Sequence, residues 1–249
     1  KNKGDEDKVS SSLAKIMEED PTVRVETDSE LKQQLRMHGA VFMKTEEVFD
    51  LPGQTFTTVT VPTSKEYRKF MKTGYVQMSD GTELIGDQVF TKRLHARQLC
   101  GMYSQAKIDA FRDLLASTND RVIVFYNFTA ELDWLRMIAN DLDRPHGAIN
   151  GEHKNLKPYE DHEDSITFIQ YAAGSLGLNL QKANKIIYYS PTDRVDYWMQ
   201  SQKRIHRIGQ QKPCFYYQLV CTGSIEEKIY DALARGVDYT DDLFEMDCL

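Results

Sequence analysis

The sequence predicts an α/β protein, a mainly parallel sheet covered by helices on both faces. Two observations carry this. Val122–Tyr126, Ile166–Tyr171, Ile186–Tyr189 and Phe215–Val220 are short apolar runs rich in β-branched and aromatic residues, without the in/out alternation of a half-exposed strand. Helical patterns stand between and after them: Thr129–Leu142, with Leu132, Leu135, Ile138 and Leu142 on one stripe, then Arg194–Arg207 and Ser224–Ala234. Short strands alternating with helices are the pattern of a three-layer α/β domain, here over residues 119–236.

The residues before this domain read differently. Residues 1–50 are polar, with helical patterns over Ser10–Glu19 and Ser29–Met37 separated by Asp20-Pro21. Residues 51–118 read as a connecting segment. Leu51-Pro52-Gly53 marks a turn, and Thr55–Val61 is β-branched and predicts a strand. Ser64 is placed to cap a helix over Lys65–Lys72. Ser79-Asp80-Gly81 between Tyr75–Met78 and Thr82–Ile85 predicts a hairpin, and helices follow around Gln88–Cys100 and Ser104–Ala116. Gly147–Asp164 is polar, contains Pro158 and predicts a loop; residues 237–249 predict a frayed acidic tail.

Composition narrows the function classes. No stretch approaches the roughly 20 apolar residues of a membrane span. The charged start at Lys1–Lys8 has no signal-peptide core. The first residue is Lys rather than Met, which predicts a piece of a longer protein. Cys100, Cys214, Cys221 and Cys248 show no zinc-ligand spacing, and the six histidines form no helical pair, so no metal site is expected. Cysteine usage of this kind predicts a reducing compartment. The net charge of −7 is unevenly spread: residues 1–50 carry −4, residues 225–249 carry −6, and the stretch between carries +3. The overall acidity therefore does not describe the middle of the chain.

Two segments carry candidate chemistry. Ala173-Gly174-Ser175-Leu176-Gly177-Leu178-Asn179-Leu180 follows the Ile166–Tyr171 strand. Glycines there let backbone N–H groups approach a phosphate, or simply form a turn that binds nothing. The second segment is Gln200-Ser201-Gln202-Lys203-Arg204-Ile205-His206-Arg207-Ile208-Gly209-Gln210. On a continued helix Gln200, Arg204 and Arg207 share one face, and residues 197–212 contain no carboxylate. Unpaired guanidiniums suit bidentate grip of phosphate oxygens; a solvated basic helix end is the alternative.

In this order, the two segments resemble the second motor lobe of superfamily-two helicases, and most closely the SWI/SNF family of DNA-dependent ATPases. Arg204–Gln210 resembles that family's motif VI, Ile169–Leu180 its motif V, and Val122–Phe128 its motif IV; Ser224–Ile229 resembles the segment after the last strand. More loosely, Leu51-Pro52 resembles the end of the first lobe, and Arg97–Leu99 with Lys107–Asp109 the approach to the second. The resemblance departs at Gly151–Ile166, which is short, at Ser175, where the family has glycine, and at Ser190–Arg194, where it has Trp-Asn-Pro.

The resemblance implies a RecA-like α/β/α lobe over 119–236, with 1–50 the tail of the first lobe. It implies ATP and magnesium held mainly by that first lobe, since no Gly-Lys-Ser/Thr loop and no Asp-Glu-x-His box occur here. This piece alone is then expected to be inactive. Arg204 and Arg207 are implied as arginine fingers, with Gln200 orienting them and Gly174, Gly177 and Asn179 near the nucleotide. Tyr126, Asn127, Ala173, Gly174, Ser175 and Lys203 are implied as DNA contacts. The implied partners are double-stranded DNA and the first lobe of the same polypeptide. The short hairpin and the short 147–164 stretch resemble the bacterial and phage branch, implying a cytoplasmic protein. A non-catalytic nucleic-acid or protein-binding module that keeps the lobe fold is the alternative.

Overall fold

Val122–Tyr126 is apolar at every position because both of its faces are covered. In the computed structural model, which describes residues 51–173 and 177–248, Val122, Val124 and Tyr126 enter one buried cluster and Ile123 and Phe125 the other. The same period-two division runs along the neighbouring strands, so a core lies on each face of one sheet. The helices expected over 10–19 and 29–37 lie outside the described residues.

Among the described residues the sheet has six strands: β1 (Gln54–Pro62), β4 (Val122–Tyr126), β5 (His146–Ile149), β6 (Ile166–Gln170), β7 (Lys185–Tyr188) and β8 (Cys214–Thr222). Their order is β1-β8-β7-β4-β6-β5, and all five pairings are parallel. The expected class is thus the observed one, a RecA-like three-layer α/β lobe. A separate hairpin joins β2 (Tyr75–Gln77) to β3 (Glu83–Ile85), with Gly81 at φ +88° and the Asp80 carboxylate accepting from Thr82 N–H at 2.9 Å.

Eight helices accompany these strands among the described residues: α1 (Lys65–Thr73), α2 (Val89–Gly101), α3 (Gln105–Ala116), α4 (Thr129–Asp141), α5 (Lys157–Asp161), α6 (Val195–Gln202), α7 (Ile225–Ala234) and α8 (Asp241–Cys248). Ser64 caps α1 as expected, accepting from Tyr67 N–H at 3.0 Å. Helices α3 and α4 cover one face of the sheet through Phe111, Leu115, Leu132, Leu135 and Ile138. The opposite core takes in Leu99 of α2, Trp198 of α6, Ile229 of α7 and Phe244 of α8.

Several expectations need correction. The segment 51–118 is more than a connection, because β1 pairs with β8 along nine residues and forms the edge of the main sheet. The 147–164 stretch holds most of strand β5 and all of helix α5. The tail is not frayed: α8 closes on a fully buried Phe244, and Asp241 accepts from Arg93 Nε at 2.6 Å. Its acidic residues answer Arg93 and Arg194, the latter reaching Asp238 at 3.1 Å.

Candidate functional site

The expected helix over Arg194–Arg207 stops at Gln202. From Lys203 onward the chain runs in turns, with Arg204 N–H donating to Ser201 O and His206 N–H to Gln202 O. Hence Gln200, Arg204 and Arg207 do not share one continuous helix face. Three contacts hold the turns instead. His206 lies 2.9 Å through Nε2 from the carbonyl oxygen of Pro52. The Gln210 amide donates to Gln181 O, Ala183 O and Ile205 O, while its oxygen accepts from the N–H groups of Gln211 and Lys212. Gly209 takes φ +96° with the Gln181 side chain packed against it, a conformation that favours glycine.

This packing leaves the two arginines in contrasting settings. Arg204 is 9% exposed, and its Nε is buried with no hydrogen-bond partner. Among the described residues its side chain makes one hydrogen bond, from Nη1 to Leu178 O, long at 3.5 Å. Burial, and secondarily the charge of Arg207, hold its pKa below the usual arginine range. Arg207 is exposed, and among the described residues it forms no ion pair. A buried guanidinium without a counterion beside a second cation is costly unless an anion completes it.

The glycine segment meets these turns from one side. Leu180 N–H donates to Arg204 O at 3.2 Å, and Leu178 and Leu180 are buried. Asn179 and Gly177 are exposed, with Gly177 at φ +21°. Ala173 is buried, Gln200 half-buried and Lys203 exposed. Gly174 and Ser175 lie outside the described residues. Thus the structure brings Arg204 against Leu178 and Leu180, the ends of the two motifs, as their order in sequence suggests.

The motif IV residues are placed otherwise. Tyr126 is fully buried, and burial pushes its hydroxyl pKa up to about 12, so its side chain cannot meet DNA directly. Asn127 is spent inside the protein: its amide donates to Ser190 Oγ at 3.0 Å and Pro191 O at 2.7 Å, and its carbonyl accepts from Gln170. It staples the ends of β4 and β7 together.

Sequence reading missed the buried charges beneath these strand ends. Glu131 caps α4, its Oε2 accepting from the N–H groups of Asn127 and Phe128 and from Ser190 Oγ. Burial holds its pKa above the usual carboxylate range. Its other oxygen sits where a Cβ on Gly101 would come within 1.9 Å. Gly101→Ala should therefore destabilise the chain by about 1–3 kcal/mol, since Glu131 is held from the opposite side. Thermal unfolding measures this, and an unchanged midpoint would mean that Glu131 is free to swing away. Lys107 and Glu226 form a buried ion pair, and donor atoms of Cys100, Cys221 and Glu226 lie within 4.8 Å of one another. Both Glu226 oxygens are already engaged, by Lys107 and by Cys221 N–H. No spacing rule links residues 100, 107, 221 and 226; only the packing of α2, α3, β8 and α7 joins them.

No helix of the described residues is long and apolar enough to cross a membrane. Residues 106–209 match the model of the helicase conserved C-terminal domain. Residues 1–39, outside the described part, match that of Elongation Factor G, domain III. A DNA repair and recombination protein RAD54-like of Drosophila erecta is 36% identical over 124 residues, covering 46% of this chain and 16% of that protein. DNA repair and recombination protein RDH54 of Saccharomyces cerevisiae (strain YJM789) is 32% identical over 123 residues, covering 45% and 13%. The chain thus spans less than one-fifth of either relative. The solved C-terminal part of the Fun30 ATPase domain is 25% identical with a TM-score of 0.49, covering 66% of this chain and 63% of that one. The domain match and the relatives support a C-terminal helicase lobe of a superfamily-two ATPase. These relatives are fly and yeast proteins and lend no support to a bacterial or phage branch.

Proposed function

We propose that this chain is the second motor lobe of a SWI/SNF-type, DNA-dependent ATPase, which supplies arginine fingers to ATP hydrolysis in a cleft between two lobes. The observation that carries the reading is Arg204: a guanidinium packed into the protein with its Nε unpartnered, beside Arg207, which forms no ion pair among the described residues. The phosphate end of a nucleotide fits these residues, because it would complete the charge that the fold leaves open. ATP, when bound, brings the phosphoryl group that is transferred to water. Arg204 and Arg207 hold its oxygens and stabilise the charge that builds on them. His206 and Gln210 act at one remove, by fixing the turns that carry both arginines. Gln200, at the end of α6, helps to orient the pair.

In this reading magnesium is held by the first lobe of the same polypeptide, and residues 197–212 contain no carboxylate. Exposed Gly177 and Asn179 face the nucleotide or the first lobe, and exposed Lys203 is placed for a DNA phosphate. Lobe opening and closing with each turnover then moves the protein along duplex DNA. The DNA repair relatives agree with this substrate class.

The test is steady-state ATP hydrolysis by the full-length polypeptide, with and without duplex DNA, beside the 249-residue chain alone. Stimulation by DNA in the first and silence in the second are expected. A full-length protein that binds DNA but never turns over would overturn the motor reading in favour of a non-catalytic module.

A further inference from the structure

Two thiols that the motor reading does not use meet where two elements end. Cys100 stands in the last turn of α2, which closes at Gly101, and Cys221 is the penultimate residue of β8, which closes at Thr222. They are 121 positions apart in sequence. Their sulfur atoms and a Glu226 carboxylate oxygen lie within 4.8 Å of one another. A disulfide holds its sulfurs about 2 Å apart, so closure asks for a shift of under about 3 Å, within reach of rotation about the two Cα–Cβ bonds. Both side chains are buried, but Thr222 and Gly223, the next residues of the chain, are exposed, so fraying of the strand end uncovers the pair. Cys214, at the start of β8, and Cys248, in α8, lie outside this group.

The surroundings fit a covalent link better than a metal ion. Both Glu226 oxygens are engaged, by the Lys107 ammonium and by Cys221 N–H, so neither is free to act as a ligand. Cys221 itself is weakly held. Its thiol donates to Ser104 Oγ at 3.7 Å and to Cys100 O at 3.9 Å, and sulfur is a poor donor, so little is lost when these contacts are given up. The two sulfurs also differ in character. Contact with the Cys100 thiol, and after it the charge of Lys107, hold the Cys221 thiol below the usual cysteine range, whereas burial pushes the Cys100 thiol well up. Cys221 is thus the nucleophile of the two, and Cys100 the thiol that resolves it.

We propose that Cys100 and Cys221 are a redox pair, which hydrogen peroxide closes into a disulfide tying the end of α2 to the end of β8, and which a dithiol reductant reopens. The Cys221 thiolate attacks one peroxide oxygen: an S–O bond forms, the O–O bond breaks, and hydroxide leaves with the proton of the Cys221 thiol as water. The Cys100 sulfur then attacks the sulfenic sulfur: an S–S bond forms, the S–O bond breaks, and hydroxide leaves with the Cys100 proton as a second water. The two thiols together lose two electrons, and the peroxide gains them.

Two measurements on the whole chain test it, and neither needs ATP or DNA, so the outcome is independent of the motor reading. In the first, the native chain is treated with hydrogen peroxide, the remaining thiols are alkylated in denaturant, and a non-reducing digest is mapped by mass spectrometry. One linked peptide pair should appear, joining Cys100 to Cys221 with two hydrogens lost, and dithiothreitol should return both thiols. Exposure alone would select half-buried Cys248 instead. Oxidation confined to Cys248, or a sulfinic acid on Cys221 with Cys100 still alkylated, would overturn the pair. In the second, thermal unfolding compares the oxidised and reduced chains. The link closes a loop of about 120 residues in the unfolded state, so the midpoint should rise by about 5–15 °C and fall back with dithiothreitol. Cys100→Ser and Cys221→Ser should each show no rise with peroxide. A linked chain whose midpoint does not rise, or a rise that persists in Cys100→Ser, would overturn the tie between α2 and β8.

Discussion

Arg207→Ala in the full-length protein should lower the maximal DNA-stimulated rate of ATP hydrolysis by about 10³–10⁵, the value of an arginine finger in phosphoryl transfer. Arg207 is the better of the two arginines to test because it is exposed. Its removal leaves no cavity and no abandoned buried partner, so a lost rate reports chemistry rather than folding. Arg204→Ala mixes the two, since that side chain is 9% exposed and packed against the Leu178 segment. Arg207→Lys should also fail, by at least tenfold, because an ammonium cannot present two parallel donors to phosphate oxygens. DNA affinity should stay within about twofold in both variants, since one exposed cation is a small part of a multi-phosphate contact. Hydrolysis by Arg207→Ala within tenfold of the parent, at saturating ATP and DNA, would remove the finger assignment.

What the sequence made legible follows from how each element is buried. Strands β4, β6, β7 and β8 announce themselves because burial on both faces demands continuous apolar runs. Strand β5, His-Gly-Ala-Ile, has four residues and one β-branched side chain, and its place is set by pairing with β6 rather than by its own propensity. Strand β1 was visible as a strand but not as part of the sheet: its exposed threonines say nothing of the nine-residue register with β8. The two motifs were legible as residue types in order, and the fold does join their ends. The helix assumed to align Gln200, Arg204 and Arg207 was not correct. Nothing between Gln202 and Ile208 breaks a helix, yet the chain leaves it, because the bonds of His206 to Pro52 and of Gln210 to Gln181 and Ala183 outweigh local preference. The side chains of Tyr126 and Asn127 are held inside the fold for a related reason. A strand end can face solvent or a neighbouring loop, and only the positions of Ser190 and Pro191 decide which.

The largest effect on stability should come from Lys107, a residue with no role at the proposed site. Its side chain is fully buried, paired with Glu226 and set over the Tyr189 ring at 5.4 Å. Burial alone would depress its pKa, but Glu226 and the two neighbouring cysteines outweigh burial and hold it raised. Lys107→Met keeps most of the volume and strands the Glu226 carboxylate in an apolar setting. Removing one partner of a buried pair costs about 3–5 kcal/mol. At about 2–4 °C per kcal/mol for a unit of this size, the unfolding midpoint should fall by about 10 °C. Lys107→Met combined with Glu226→Leu removes both charges, and it should recover at least half of that loss, because the penalty lies in the orphaned charge rather than in the missing attraction. The sign of the pH dependence follows from the raised pKa. Stability from this pair is complete below the unfolded lysine pKa, near 10.4, and fades only as pH rises through the higher folded value. The parent and Lys107→Met should therefore differ by a constant amount between pH 6 and 9 and converge in stronger alkali. A gap that instead varied between pH 6 and 9 would mean that the ion pair between α3 and α7 does not carry the difference.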